Sequence, residues 1–255
     1  MQGTPAKEKI AFLLSHSITR DDCITELAKA YNQDMQPEKA IETLMSHTFV
    51  PCEGGEHAIA DQYLFAHLVI GRRQLAAGDT EGAFATFRKG QVLPQSLGAG
   101  IWNHCKLVPL KYFEAICLEK CGDKAAADEL FRYIATIGIE YFSNMHLKEL
   151  PYYQARAWQH LGEELKAQRL MTVYRREWKN IDKVKDNGFF GTTPFFISFT
   201  DDPQKLRRAQ HCYLNALVCD FMGEKEKAQA YLSESIALQS ENLPALTFIA
   251  QGFLV

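Results

Sequence analysis

Small residues recur at the same two positions in five copies of one two-helix pattern. Aligned without gaps, the copies begin at Asp21, Leu64, Val108, Lys148 and Ala209. Two antiparallel helices approach each other closely only where the facing side chains are small. The register therefore predicts closely packed helix pairs. Position eight is Ala28, Gly71, Ala115, Ala155 and Ala216, and position twenty is Ala40, Ala83, Ala127, Ala167 and Ala228.

The turn between the two helices has its own pattern. Glycine at position fifteen supplies the left-handed conformation that ends the first helix, and only the first copy departs from it, with Met35. The acid that follows caps the second helix or complements its dipole. The glycines are Gly78, Gly122, Gly162 and Gly223, and the acids are Asp79, Asp123, Glu163 and Glu224. At position twenty-four a large apolar residue fills the gap to the neighbouring unit: Leu44, Phe87, Phe131, Met171 or Leu232.

This pattern resembles the tetratricopeptide repeat (TPR), a periodic helix-turn-helix array. The resemblance implies an all-α fold, a TPR-type right-handed α-solenoid of about five helix-turn-helix pairs with long inter-repeat loops. We expect a single array over residues 1–255. Its pairs are predicted at 21–48, 57–91, 108–136, 150–180 and 203–238, after a short helix that ends near Ser15 and before a terminal helix at 243–254.

Composition excludes several classes of function. The net charge of −3 gives no basic footprint for nucleic acid. No apolar run approaches the roughly 18 residues of a membrane helix, and the first residues are not a secretory signal. Seven scattered cysteines indicate reduced thiols and a cytoplasmic protein. A metal site of His104, Cys105, Cys117 and Cys121 is conceivable, but the spacing is not that of a zinc site. We therefore predict no metal and no cofactor.

The loops resemble a more specific group. Arg20-Asp21-Asp22, Tyr31-Asn32, Pro51 with the segment 53–56, Leu97-Gly98, and Asp201-Asp202 before 211–214 are similar to a bacterial family. In that family a β-rich domain of unknown function precedes a C-terminal TPR region. The chain departs from the family at Cys52 and Ala99. The resemblance implies that the chain is a fragment, and that the missing domain is linked to carbohydrate metabolism.

Two long loops are candidate interaction segments, because insertions in a solenoid often serve binding. The insertion 181–202 contains five phenylalanines and must pack on the array or on a partner. The loop Glu53-Gly54-Gly55-Glu56 suggests an enzyme with paired carboxylates. The alternative is a tight turn, with Glu56 near the start of the next helix. We favour the turn and predict no catalytic residue.

In a TPR array the first helix of each pair lines the concave groove at positions two, five, nine and twelve. Tyrosine recurs at position five, and aromatic rings beside amide and guanidinium groups suit an extended peptide or a sugar chain. Arg72 and Arg156 are candidates for binding a carboxylate. Alternatively, the long loops fill the groove and the rings are core. The predicted groove residues are Phe65, Leu68, Arg72, Tyr112, Tyr152, Arg156, Gln159, Tyr213 and Leu217.

Together these observations predict a non-catalytic scaffold that binds a protein, a peptide or an upstream domain of the same protein. Two alternatives stay open at this point. One is the accessory half of a carbohydrate-active enzyme whose β-rich domain is missing. The other is a sensor domain that binds a small ligand in the groove. The sequence does not give the oligomeric state.

Overall fold

The computed structural model describes residues 4–16, 18–51, 56–98, 100, 104–138, 148–179 and 202–254. These residues form twelve α-helices and two short 3₁₀ turns, and no strand occurs among them. The predicted all-α class and its five helix pairs are therefore confirmed. The chain divides into two compact units, Met1–Leu147 (unit 1) and Lys148–Val255 (unit 2). The expectation of one continuous right-handed array stays a prediction.

Unit 1 contains three helix pairs preceded by one helix. Each helix packs against the next along the chain. The 3₁₀ turns Gln95–Leu97 and His104–Leu107 lie between the second and third pairs. The helices are α1 (Ala6–Leu14), α2 (Asp21–Gln33), α3 (Pro37–Met45), α4 (Glu56–Ala76), α5 (Thr80–Gly90), α6 (Val108–Lys120) and α7 (Lys124–Thr136).

Unit 2 contains two helix pairs followed by one helix. Proline stands in the first turn of three of its helices, where the missing amide hydrogen costs no helical hydrogen bond. The helices are α8 (Leu150–His160), α9 (Glu164–Trp178), α10 (Pro203–Phe221), α11 (Lys225–Leu238) and α12 (Leu243–Gln251).

The small residues of the repeat lie in the interior of both units. Gly71 is buried, and the nine alanines at positions eight and twenty are at most 1% exposed. The large residue at position twenty-four is fully buried in every copy. In the second copy these positions meet directly, because a Cβ added to Gly71 would overlap the Phe87 ring. The small residue thus makes room for the large one.

The left-handed turn is present in all five copies. The φ angles of Gly78, Gly122, Gly162 and Gly223 lie between 75° and 85°. Met35 takes the same role with a φ of 54° and is the one described non-glycine residue with a positive φ. A side chain in this region is strained by about 1–2 kcal/mol. Packing of the first pair therefore imposes the turn where the sequence does not favour it.

The predicted capping acids separate into two kinds. Asp79 accepts a hydrogen bond from the Gly82 amide at 2.9 Å, and Asp123 accepts one from the Ala126 amide at 3.1 Å. Glu163 and Glu224 make no such cap. Glutamate has one more methylene group than aspartate, the preferred capping residue. Capping thus holds for the aspartates.

We predict that Met35→Gly stabilises unit 1 by about 0.5–1 kcal/mol, because glycine adopts the left-handed conformation without steric cost. Chemical denaturation of the full chain measures the change. Gly122→Ala is the matched control: its added Cβ meets no atom within 4 Å, but its φ of 84° disfavours alanine. The control should lose stability by about 1 kcal/mol. A Met35→Gly chain that is less stable than the parent would contradict the strain.

We predict that Gly71→Ala destabilises the chain by about 1–3 kcal/mol, the usual cost of overpacking. Helix propensity alone would give the opposite sign, since alanine is better than glycine by about 0.5–1 kcal/mol inside a helix. Thermal and chemical unfolding measure the effect. The double variant Gly71→Ala/Phe87→Leu should recover part of the loss. Independent, additive effects of the two substitutions would show that the residues do not share this space.

Candidate functional site

In unit 1 the predicted groove residues lie largely in the interior. Tyr112 is fully buried, Phe65 and Arg72 are at most 8% exposed, and Leu68 is half-buried. The Arg72 guanidinium carbon lies 4.9 Å from the centre of the Phe113 ring. This arrangement is a cation–π contact, so Arg72 has a clear role in packing. Burial agrees with the alternative that the rings are core, and a binding role for this set stays a prediction.

In unit 2 the predicted set is partly buried and partly accessible. Tyr152 and Leu217 are fully buried, and Tyr213 is 3% exposed. Arg156 and Gln159 are half-buried and reach the surface of α8. The structure therefore brings the tyrosines into the interior and leaves the arginine and the amide at its edge.

Arg156 is held in one position by a network between α8 and α10. Its Nη2 donates to Asp220 Oδ2 at 2.5 Å, and the Tyr152 hydroxyl donates to the same oxygen at 2.5 Å. Its Nη1 donates to Gln159 Oε1 at 3.0 Å. The rings of Tyr152 and Phe221 are each 5.4 Å from the guanidinium carbon. We call Tyr152, Arg156, Gln159, Asp220 and Phe221 the arginine cluster.

The arginine cluster is an ion pair with little access to water. The side chains of Arg156 and Asp220 are 17% and 11% exposed. Burial raises the pKa of Tyr152 well above its usual value, and Asp220 also favours the protonated hydroxyl. Burial alone would lower the pKa of Arg156, but Tyr152 and Asp220 raise it overall. The site thus combines a neutral tyrosine with a permanently charged arginine.

One donor of the arginine cluster is left over. The Nε of Arg156 is buried, and no described group accepts a hydrogen bond from it. Gln159 uses its amide nitrogen to reach Glu164, at 3.2 Å from both carboxylate oxygens. A buried donor without an acceptor is costly, and its guanidinium is already oriented, so an acceptor that gains access to Nε binds without further ordering of the arginine side chain.

The last helix covers the neighbouring part of the same face. The Phe248 ring of α12 lies edge-on to Tyr152, with 6.1 Å between ring centres, and stacks on Tyr213 at 6.2 Å. Phe253 stacks on Phe248, with 5.4 Å between ring centres. Burial raises the pKa of Tyr213 well above its usual value, and its hydroxyl lies beside the Glu149 carboxylate. In unit 2 the two tyrosines at position five are therefore covered by Phe248 of the same chain.

Sequence reasoning placed Asp220 in the groove by register but missed Phe221 and Phe248 as parts of this site. Asp220 has a signal, since it occupies position twelve of the fifth copy, as Gln159 does in the fourth. Phe248 has a weaker one. It lies in the segment 243–254, which contains no charged residue and needs an apolar surface to cover.

Several predicted features fall outside the described residues. Glu53, Gly54 and Gly55 lie there, and so does the aromatic insertion 181–201. Glu56 begins α4, but its side chain is not described. The paired-carboxylate and tight-turn interpretations of this loop both stay predictions.

The described cysteines carry free thiols. Burial raises the pKa of Cys117 to about 11 and that of Cys212 to about 12. A thiol that keeps its proton is a poor nucleophile and a poor metal ligand. Among the described residues, no group of three or more His, Cys, Asp or Glu side chains is arranged to hold a metal ion. No described helix is both long enough and apolar enough to cross a membrane.

No family model matches the chain. Among solved structures, it is similar to two forms of a Podosopora anserina protein assigned as a kinesin light chain with nearly identical TPR-like repeats. One form, a variant, is 18% identical, with a TM-score of 0.32, and the match covers 87% of this chain and 95% of that one. The other form is 17% identical, with a TM-score of 0.30, and the match covers 92% and 96%. Because these sequence identities and TM-scores are low, the support for helical repeats in this chain is its own helix pairs.

We predict that Asp220→Asn lowers the free energy of unfolding by about 2–4 kcal/mol, because a half-buried arginine then lacks its counter-charge. Chemical denaturation measures the loss. Glu234→Gln is the control, since its partner Arg208 lies at 2.8 Å but both side chains are more than 40% exposed. An exposed pair should contribute less than about 1 kcal/mol. Equal losses in the two variants would contradict the importance of burial.

Proposed function

We propose that the chain is a non-catalytic interaction scaffold and that the arginine cluster of unit 2 binds a segment of a partner protein or domain. The observation that carries this proposal is the fixed, half-buried guanidinium with an unused donor. Free thiols fit the reducing cytoplasm that the sequence predicts.

The chemistry of the cluster narrows the group that it binds. Asp220 already neutralises Arg156, so the remaining donor belongs to a pair with no net charge. Such a pair favours a neutral acceptor, such as a peptide carbonyl, over a full carboxylate. Gln159 adds an amide at the edge, which suits unpaired backbone amide or carbonyl groups such as those at the ends of a helical segment. A protein segment therefore fits the site better than an anionic small molecule.

Rigidity supports the same conclusion. The rings of Tyr152 and Phe221 both pack near the guanidinium, and Asp220 fixes its orientation. The conformational entropy of the arginine is lost when the protein folds, so little more is lost on binding. Aromatic and arginine residues are also those on which interface energy concentrates.

We predict that peptides selected on the full chain from a random library depend on this cluster. Gln159→Ala and Arg156→Lys should each weaken a selected peptide by about tenfold or more, because both remove a positioned donor. Fluorescence anisotropy measures the affinity. Arg208→Gln, which changes an exposed arginine on α10, should leave it unchanged. A selected peptide that binds all four chains equally, or the absence of any selected peptide, would overturn the proposal.

A further inference from the structure

We infer that α12 is a built-in competitor on the binding face of unit 2, and that the partner binds by taking its place as an uncharged helical segment with an aromatic anchor. This inference deepens the proposed function and rests on it. The occupant in the resting chain is the segment 243–254 itself.

The segment, together with Asn242 before it, contains the residues that start and stop its helix. Asn242 caps α12 by accepting a hydrogen bond from the Ala245 amide at 3.2 Å, and Pro244 lies in the first turn. Gly252 ends the helix with a φ of 79°. Because these signals are local, the same sequence is able to form the same short helix in another molecule.

The way in which α12 binds follows a known mode of recognition. The helix buries Ala245, Thr247 and Phe248, while Ile249 is 40% exposed. Phe248 is the anchor, with its ring against both Tyr152 and Tyr213. This is a short uncharged helix laid with an aromatic anchor against an aromatic surface, and anchored helices in apolar grooves are a common mode of peptide recognition. The face is thus built to receive a helix, and it already holds one.

The attachment of α12 has the features of an exchangeable element. Its nine residues are too few for a stable isolated helix, so it depends on the surface that it covers. The backbone leaves the helical conformation between α11 and α12, since Gln239 has φ −140° and ψ 89°. A side-chain hydrogen bond from Asn242 Nδ2 to Ser235 Oγ, at 3.2 Å, ties its cap to α11. Elements with few buried side chains open at lower free energy than the core.

Competition with α12 restricts the chemistry of the partner segment. A tethered helix competes at an effective concentration of about a millimolar, so only a segment with better contacts displaces it. The surface under Phe248 is aromatic, and the segment that now covers it has no charge. The displacing segment should therefore also carry an aromatic anchor and few charges.

Hydrogen exchange of the unmodified full chain tests whether α12 opens by itself. Amides of Leu246 to Gln251 should exchange about tenfold or more faster than those in the middle of α11, because α12 opens without unfolding of unit 2. If both helices exchange at the same rate, α12 opens only with the rest of the unit, and the inference is overturned.

Competition by a synthetic peptide of residues 240–254 tests the exchange directly. The labelled peptide should bind the full-length Phe248→Ala chain about tenfold or more tighter than the unmodified chain, since its tethered competitor is weakened. The control is Ile249→Ala, which changes an exposed residue of the same helix and should behave like the unmodified chain. A peptide that itself carries Phe248→Ala should not bind. Equal binding to all three chains, or no binding to the Phe248→Ala chain, would sink the inference.

The two proposals fail in different ways. If library peptides depend on Gln159 but bind the Phe248→Ala and unmodified chains equally, the proposed function stands and the competitor role of α12 falls. If the 240–254 peptide binds the Phe248→Ala chain but no library peptide depends on Gln159, the exchange stands and the proposed function falls. If the unmodified chain dimerises and Phe248→Ala abolishes the dimer, α12 is exchanged between two copies and the intramolecular competitor is wrong.

Discussion

Close contact between two helices at small side chains is the constraint on which each repeat depends. An alanine or glycine at positions eight and twenty brings the backbones together, and the large residue at position twenty-four then fills the space beside them. Gly71 and Phe87 show how tightly these choices are linked, since an added methyl group would overlap the ring. The helices of a pair therefore have one packed arrangement, and that arrangement determines which side chains face outward.

Features that depend on neighbouring residues were predictable from the sequence, and departures from the pattern are informative. Helix pairs and left-handed turns follow from periodicity, glycine and proline, which act within a few residues. Met35 shows the limit of this reasoning, because it adopts a turn conformation that its own side chain disfavours. Glu163 and Glu224 show another limit. They keep the charge of the pattern but not the hydrogen bond, which needs the shorter side chain of aspartate.

The candidate site was predictable in position but not in accessibility. Register places Tyr152 and Tyr213 at equivalent positions, and the structure brings both rings to Phe248. Whether such a face is open depends on its contact with α12, the helix that follows the last repeat. The repeat periodicity of the sequence does not predict that contact. Asp220 is a similar case. Its position was readable, but its pairing with Arg156 depends on how α8 and α10 pack, which is a property of the tertiary structure.

The arginine cluster is costly for a protein that needs only a stable core. Removing Arg156 and Asp220 from water takes several kcal/mol per ion, and apolar residues of the same size often give equal or greater stability. The neighbouring face shows that apolar packing is available here, since Phe248 and the two tyrosines fill it without charges. A charged pair beside such a surface gives what the rings lack, a donor with fixed direction. The proposed recognition of a partner segment depends on this donor, because apolar packing alone does not orient a bound segment.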